Sequence, residues 1–275
     1  MRTAILTFAI FFVSAATARA GSVGFERATV PDSDGTSREV GIWYPSDAPA
    51  APQPLGPHRQ TVAMGGPVAV RQLPLVVILH GVQGTFDNHY HTALALADVG
   101  FVVAGVTHTQ EIRLVERPRH VRSVVDHMLG AWAGHDRLDP ARIGVFGFSV
   151  GVSTPASAWT HDARIKAAVI AAPTLGFTFT ADALAPIKVP VQLWRSGNDE
   201  ITPHPRHAEA VYQALAAKPE YHVIPDAGHF VFVACSGEMT KRAPAICGDA
   251  PAFDRGAFHQ KFNAAVVSFF RTQLR

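Results

Sequence analysis

The sequence has only two cysteines, no surplus of positive charge once its first segment is set aside, no apolar run long enough to cross a membrane and no internal repeat. Each absence removes a class of function. Cys235 and Cys247 stand without the further Cys or His spacing of a zinc site. The chain carries 24 Lys plus Arg, two of which, Arg2 and Arg19, lie in the first twenty residues; the rest holds 22 basic against 22 acidic residues. Its formal net charge is zero, so nothing draws in nucleic acid or an anionic membrane, and the expected partner is a small or weakly charged molecule. The apolar stretch Ala4–Ala16 is too short for a membrane span. Preceded by Arg2 and followed by Ala18-Arg19-Ala20, an A-x-A cleavage pattern, it reads as a secretory signal, Met1–Ala20; a retained anchor helix is the alternative. The remainder of the chain, 21–275, has the size and apolar content of one α/β domain. In an exported chain the two late cysteines, in a segment dense in Gly and Pro, read as a disulfide closing a loop. Two buried thiols or a metal pair are the other readings.

The residues present have the rhythm of strands and helices in alternation. Ser22–Val30 and Ser37–Tyr44 alternate as strands and meet at Pro31-Asp32-Ser33-Asp34-Gly35, a turn sequence, so an antiparallel N-terminal hairpin is expected. From Pro45 to Pro74 seven prolines and the lack of either period predict a surface excursion without regular structure. Leu73–Leu79 is wholly apolar and rich in β-branched residues, which predicts a buried parallel strand, and it ends in the turn His80-Gly81-Val82-Gln83-Gly84. A helix over Asp87–Val99 and a strand over Phe101–Val106 complete a βαβ unit, and with it a mostly parallel sheet. An amphipathic helix comes next at Pro118–Ala133, with Val121, Val124, Val125, Met128 and Leu129 on one face. Further strands are expected at Arg142–Phe148, Ile165–Ala171, Val189–Trp194 and Tyr221–Ile224. Helices are expected at Val150–Trp159, Ala208–Ala217 and Phe258–Leu274, the last with Phe262, Val266, Phe269 and Phe270 inward.

Gly147-Phe148-Ser149-Val150-Gly151 is a G-x-S-x-G sequence on a strand-to-helix bend, where flanking glycines let a strained serine stand above the sheet edge. A bare match also fits an ordinary Gly/Ser-rich turn, so the context decides. Open α/β sheets bind ligands beyond the carboxyl ends of their strands. His80–Gly84, Ser149, Asp199 and His229 all fall there, and the last three run in the order serine, acid, histidine. A serine hydroxyl is a poor nucleophile at neutral pH; it needs a base in hydrogen-bond reach and a carboxylate to fix that base's tautomer. His229 is placed as the base, since of the histidines only it follows the last strand behind a glycine. Asp199, in Gly197-Asn198-Asp199, is placed as the acid, with Glu200 and Asp226 as alternatives. The N–H of Val150 and one from the His80–Gly84 turn, assigned to Val82, would hold an oxyanion. His80 reads as a hydrogen-bonder of its own turn. His204 with His207, and His89 with His91, have metal-compatible spacing but no supporting carboxylate or cysteine, so neither metal nor cofactor is expected. Phe177 and Phe179, after a strand end, either line a substrate pocket over Ser149 or plug the core; Phe230, Phe232 and the cysteine loop would form the opposite wall.

Taken together, the His80-Gly81 turn, Gly147–Gly151, Gly197-Asn198-Asp199 and Gly228-His229, each after a strand, resemble the α/β-hydrolase superfamily. Within it the chain is similar to the bacterial predicted dienelactone hydrolase group, related to platelet-activating-factor acetylhydrolases, over nearly all of 21–275. The resemblance implies an α/β-hydrolase fold, a mostly parallel sheet with helices on both faces, and a Ser149, Asp199, His229 triad with Val82 and Val150 as oxyanion donors. True dienelactone hydrolases use a cysteine nucleophile, and position 149 is serine. The expectation is an exported serine hydrolase, periplasmic or secreted, that cleaves short-chain, lactone or acetyl-phospholipid esters. An amide, peptide or polyester substrate, or a non-catalytic binding module on the same fold, are the competing readings.

Overall fold

The computed structural model describes residues 21–32, 35–108, 117–152, 162–176, 180–235, 237–242 and 244–275. The expected signal segment, most of the helix expected after Ser149, and Phe177 and Phe179 lie outside the described residues. Ten strands form one sheet: β1 Ser22–Pro31, β2 Ser37–Ser46, β3 Ala51–Leu55, β4 His58–Met64, β5 Leu73–Leu79, β6 Val102–Val106, β7 Leu138–Phe148, β8 Ile165–Ala171, β9 Val191–Ser196 and β10 Glu220–Ile224. Their spatial order is β10-β9-β8-β7-β5-β6-β2-β1-β4-β3. From β10 to β6 every neighbour is parallel, and β2 joins β6 and β1 antiparallel. The expected hairpin and parallel sheet are thus present.

The apolar run of β5 explains why the sheet is covered twice. Val76 and Ile78 point into one core with Leu96 of α1 (Tyr90–Asp98), while Leu75, Val77 and Leu79 point into a second with Val121, Val124, Val125 and Met128 of α2 (Arg117–Gly130). Period-two alternation sends successive side chains to opposite faces, so a strand buried on both sides must be apolar throughout. A short helix, α3 (Ala208–Ala214), packs Val211 and Leu215 into a third, smaller cluster with Leu193 of β9. Two further short helices, α4 (Gly237–Arg242) and α5 (Pro244–Cys247), fill the segment between the cysteines, which are joined as a disulfide with Cα atoms 5.7 Å apart. The chain closes with α6 (Arg255–Gln273), whose Phe262, Val266, Phe269 and Phe270 are buried, as its periodicity predicts.

Two expectations need correction. The Pro45–Pro74 excursion is not free of regular structure: β3 and β4 form an antiparallel hairpin with Leu55 opposite His58, and β4 runs beside β1. Prolines are tolerated on β3 because it is the last strand of the sheet. Pro52 and Pro54, two residues apart, lack N–H groups on one side only, and that side faces the open edge. The closing helix begins at Arg255 rather than Phe258, because Asp254 caps it by accepting from the Ala257 N–H at 2.9 Å.

Candidate active site

The sheet changes direction between β5 and β7. From β5 the chain crosses to β6 on one side, and it then returns to β7 on the other, so the ends of these neighbouring strands form the crevice where such sheets take ligands. Ser149 stands at the end of β7, in a short 3-10 turn, with φ +56°. A non-glycine residue in the left-handed region carries strain of roughly 1–3 kcal/mol, which the surroundings must enforce. Close packing does so: a Cβ on Gly151 would lie 2.4 Å from the Leu79 carbonyl oxygen and 2.7 Å from that of His80, so only glycine lets the turn after Ser149 sit on the end of β5.

The other two residues arrive from β9 and β10. The loops after these strands are tied to each other by Gly197 N–H to the Ile224 carbonyl at 2.7 Å and Asn198 N–H to the Ala227 carbonyl at 3.0 Å. Asp199 is thereby held against His229. His229 Nδ1 lies 2.8 Å from Asp199 Oδ2, and His229 Nε2 lies 3.0 Å from Ser149 Oγ. All three residues are buried. A carboxylate only accepts, so Nδ1 carries the hydrogen, and the bare Nε2 accepts from the serine hydroxyl. Burial alone would raise the Asp199 pKa, but the hydrogen bond and charge of His229 and the hydrogen bonds from Thr202 outweigh it and hold the carboxyl below its ordinary range. Of the other acids weighed for this place, Glu200 and Asp226 are both exposed.

Sequence reasoning missed two residues of this constellation. Thr202 donates its backbone N–H to Asp199 Oδ1 at 2.7 Å and its hydroxyl to Oδ2 at 2.8 Å, which with the Ile201 N–H at 3.0 Å fixes the carboxylate plane. The Asp-x-x-Thr spacing, in which an aspartate side chain bonds backbone N–H groups just ahead of it, is the signal that could have revealed it. Thr174, three residues past β8, places Oγ1 3.3 Å from Ser149 Oγ, and its N–H donates to the Ser149 carbonyl at 3.3 Å. Its loop is pinned by the Leu175 N–H donating to His207 Nδ1 at 3.0 Å.

The β5 turn packs directly on the serine, since a Cβ on Gly81 would lie 3.4 Å from Ser149 Cβ. Val82 in this turn has its side chain 63% exposed, while Val150 is buried. His80 holds the turn: Nδ1–H donates to the Gly81 carbonyl at 2.8 Å and Nε2 accepts from the His108 N–H at 3.0 Å, a single consistent tautomer. Phe230 is half-buried and meets the His229 ring edge-on, with centroids 5.0 Å apart. Phe232, expected on the same wall, is instead in the core against Phe148, Phe258 and Phe262. A four-residue 3-10 turn puts residues 230 and 232 on different sides, which an extended loop would not. His89 and His91 point to different partners, the Phe232 carbonyl and His259. Among the described residues no group of three or more His, Cys, Asp or Glu is arranged to hold a metal, and no helix is long and apolar enough to cross a membrane.

A mostly parallel sheet with a strained serine at its switch point defines an α/β-hydrolase. The structure is similar to that of a ferulic acid esterase from Streptomyces cinnamoneus, with a TM-score of 0.75 at 24% identity over 95% of this chain and 92% of that one. No curated protein matches the chain significantly. The PET hydrolase-like family (PETase) matches over residues 69–246, well over half of the chain, and the protein belongs to that family. It is a carboxylic ester hydrolase.

Proposed function

We propose that the protein cleaves carboxylic esters through an acyl-enzyme, with Ser149 as nucleophile, His229 as base and Asp199 as the carboxylate that orients it. The observation that carries this reading is the unbroken hydrogen-bond chain from Ser149 Oγ through both nitrogens of His229 to Asp199, at 3.0 and 2.8 Å. As Oγ attacks the ester carbonyl carbon, its proton passes to Nε2, and the imidazolium so formed lies against a carboxylate whose depressed pKa keeps it charged. The N–H groups of Val82 and Val150 receive the developing oxyanion. The imidazolium then gives its proton to the departing alkoxide, leaving Ser149 acylated. In the second half the same nitrogen takes a proton from water as the water oxygen attacks the acyl carbon, and returns it to Ser149 as the acid leaves.

We read the substrate as larger and less polar than a short-chain ester. Val82 in the oxyanion turn and Ile201 beside Asp199 are 63% and 55% exposed, and Phe230 borders the base. Exposed apolar side chains on the segments that carry the site support an ester of an aromatic acid, including a polyester chain, over the short-chain, lactone and acetyl-phospholipid esters that sequence pattern suggests. Family membership favours the polyester form. The disulfide, together with the signal-like first twenty residues, supports export, and 21–275 would act as one catalytic unit. The test compares hydrolysis of a ladder of 2-hydroxyethyl esters of aliphatic acids with that of bis(2-hydroxyethyl) terephthalate, so that every substrate has the same leaving group. Ser149→Ala should abolish both, and a kcat/KM for the terephthalate ester below that of every aliphatic ester would reject the aromatic assignment.

A further inference from the structure

The turn that carries His229 is held by its carbonyls. His229–Phe232 is a single 3-10 turn, and so short a turn leaves its carbonyl groups in need of outside donors. Four consecutive carbonyls find them in side chains. Arg255 Nη1 donates to the Phe230 carbonyl at 2.7 Å and to that of Val233 at 3.1 Å. His259 Nε2 donates to the Val231 carbonyl at 2.7 Å, and His89 Nδ1 to that of Phe232 at 3.0 Å. The Ala234 N–H then closes on the Asn88 carbonyl at 2.8 Å.

These donors are themselves fixed. Arg255 and His259 are one helical turn apart on α6, so a rigid element presents both to the same side. The Arg255 guanidinium is gripped in bidentate fashion by Asp249, at 2.7 and 2.8 Å, and its Nη2 reaches the Ile246 carbonyl at 3.3 Å. His259 can serve Val231 only with its hydrogen on Nε2, because a carbonyl only accepts; its Nδ1 is then bare and accepts from His91 Nδ1–H at 3.1 Å. His89 and His259 are nine-tenths or more buried, so water does not replace them without rearrangement.

We propose that Arg255 and His259, with His89, are positioning residues that set the place of His229 relative to Ser149. The proposal rests on the triad reading above. None of the three touches Ser149, Asp199 or the His229 ring; they act on the backbone from which that ring projects. A shift of about 1 Å in a reacting group can cost on the order of a hundredfold in rate without altering what the substrate touches. The effect should therefore fall on kcat and not on KM.

The experiment measures kcat and KM for p-nitrophenyl acetate on the parent, Ser149→Ala, Arg255→Gln, His259→Leu and His259→Gln proteins, each taken as the folded fraction by size exclusion and circular dichroism. Arg255→Gln and His259→Leu should each lower kcat per folded chain at least tenfold with KM within threefold. His259→Gln, whose amide N–H can still reach the Val231 carbonyl, should recover most of the loss. A fall of less than tenfold in both, a matching rise in KM, or a glutamine variant no better than leucine overturns the positioning role. Should one of the two positions fail to fold, the other carries the test. Turnover surviving in Ser149→Ala would instead overturn the triad reading, so the two failures are distinguishable.

Discussion

His89 and His91, packed beside the His229 turn and beside His259, should make the fold labile to acid, and their surroundings set the size of the effect. His89 is fully enclosed, and burial pushes its pKa down to about 3 against a partial upward pull from the Phe232 carbonyl; His259 lowers it further. His91 is brought down to about 4 by burial, by His259 and by His58. In the unfolded chain both would titrate near 6.5. Between these values the unfolded state binds more protons than the folded one, so stability is full above about pH 6.5 and is lost as the pH falls from there towards 4. At pH 5 each group costs about 2 kcal/mol, since one and a half units separate that pH from the unfolded value. The pair removes about 4 kcal/mol, a large part of the 5–15 kcal/mol that holds a typical domain. His58, His127, His207 and His259 are shifted in the same direction and add to the loss. The carboxyls of Asp162 and Asp199 lie below their ordinary range and stay ionised at pH 5, so they do not offset it. Urea unfolding followed by circular dichroism at pH 8 and pH 5 should show the midpoint fall by about 1 M or more, taking a slope of about 3 kcal/mol/M. His91→Gln, which keeps a donor towards His259, should remove about half of that difference. Equal midpoints at the two pH values would refute the assignment of these side chains as neutral donors in the folded protein.

Other perturbations separate chemistry from stability. Asp199→Asn should leave the circular dichroism unchanged and lower kcat by about 10⁴-fold, because an amide facing Nδ1 favours the wrong tautomer of His229. Gly151→Ala places a methyl against two backbone oxygens of the β5 end; it should cost about 1–3 kcal/mol in a thermal melt, and kcat should fall with it as Ser149 is displaced. Reducing the Cys235–Cys247 bridge, or replacing both cysteines by serine, opens a loop of separation 12 and should cost up to about 3 kcal/mol, seen as a lower Tm.

The parts of the fold that sequence reasoning finds are those where one physical requirement dominates. β5 is buried on both faces and so is apolar from end to end, and β7 and β8 are so once past Arg142 and Lys166; α2 and α6 bury one stripe each and show it as spacing. The proposed triad is legible because its three members follow strand ends beside glycines, two of which, Gly151 and Gly197, close packing requires. The hairpin of β3 and β4 escapes because its prolines look like breakers, and only its place at the edge of the sheet makes them harmless. Thr202 and Thr174 escape for another reason: what each does is decided by which loops meet in space. The same holds for Arg255, which lies ahead of the helix expected from sequence, and for His259 near its start: they become donors only because the turn after β10 lies against them.

The proposed chemistry requires Ser149 to be an activated nucleophile. Incubating the protein, and its His229→Ala variant, with a fluorophosphonate and locating the adduct by mass spectrometry tests it most directly. One phosphonyl group per chain, on Ser149, is expected, forming orders of magnitude more slowly without His229. An unlabelled Ser149 in folded protein, or labelling that does not depend on His229, would contradict it.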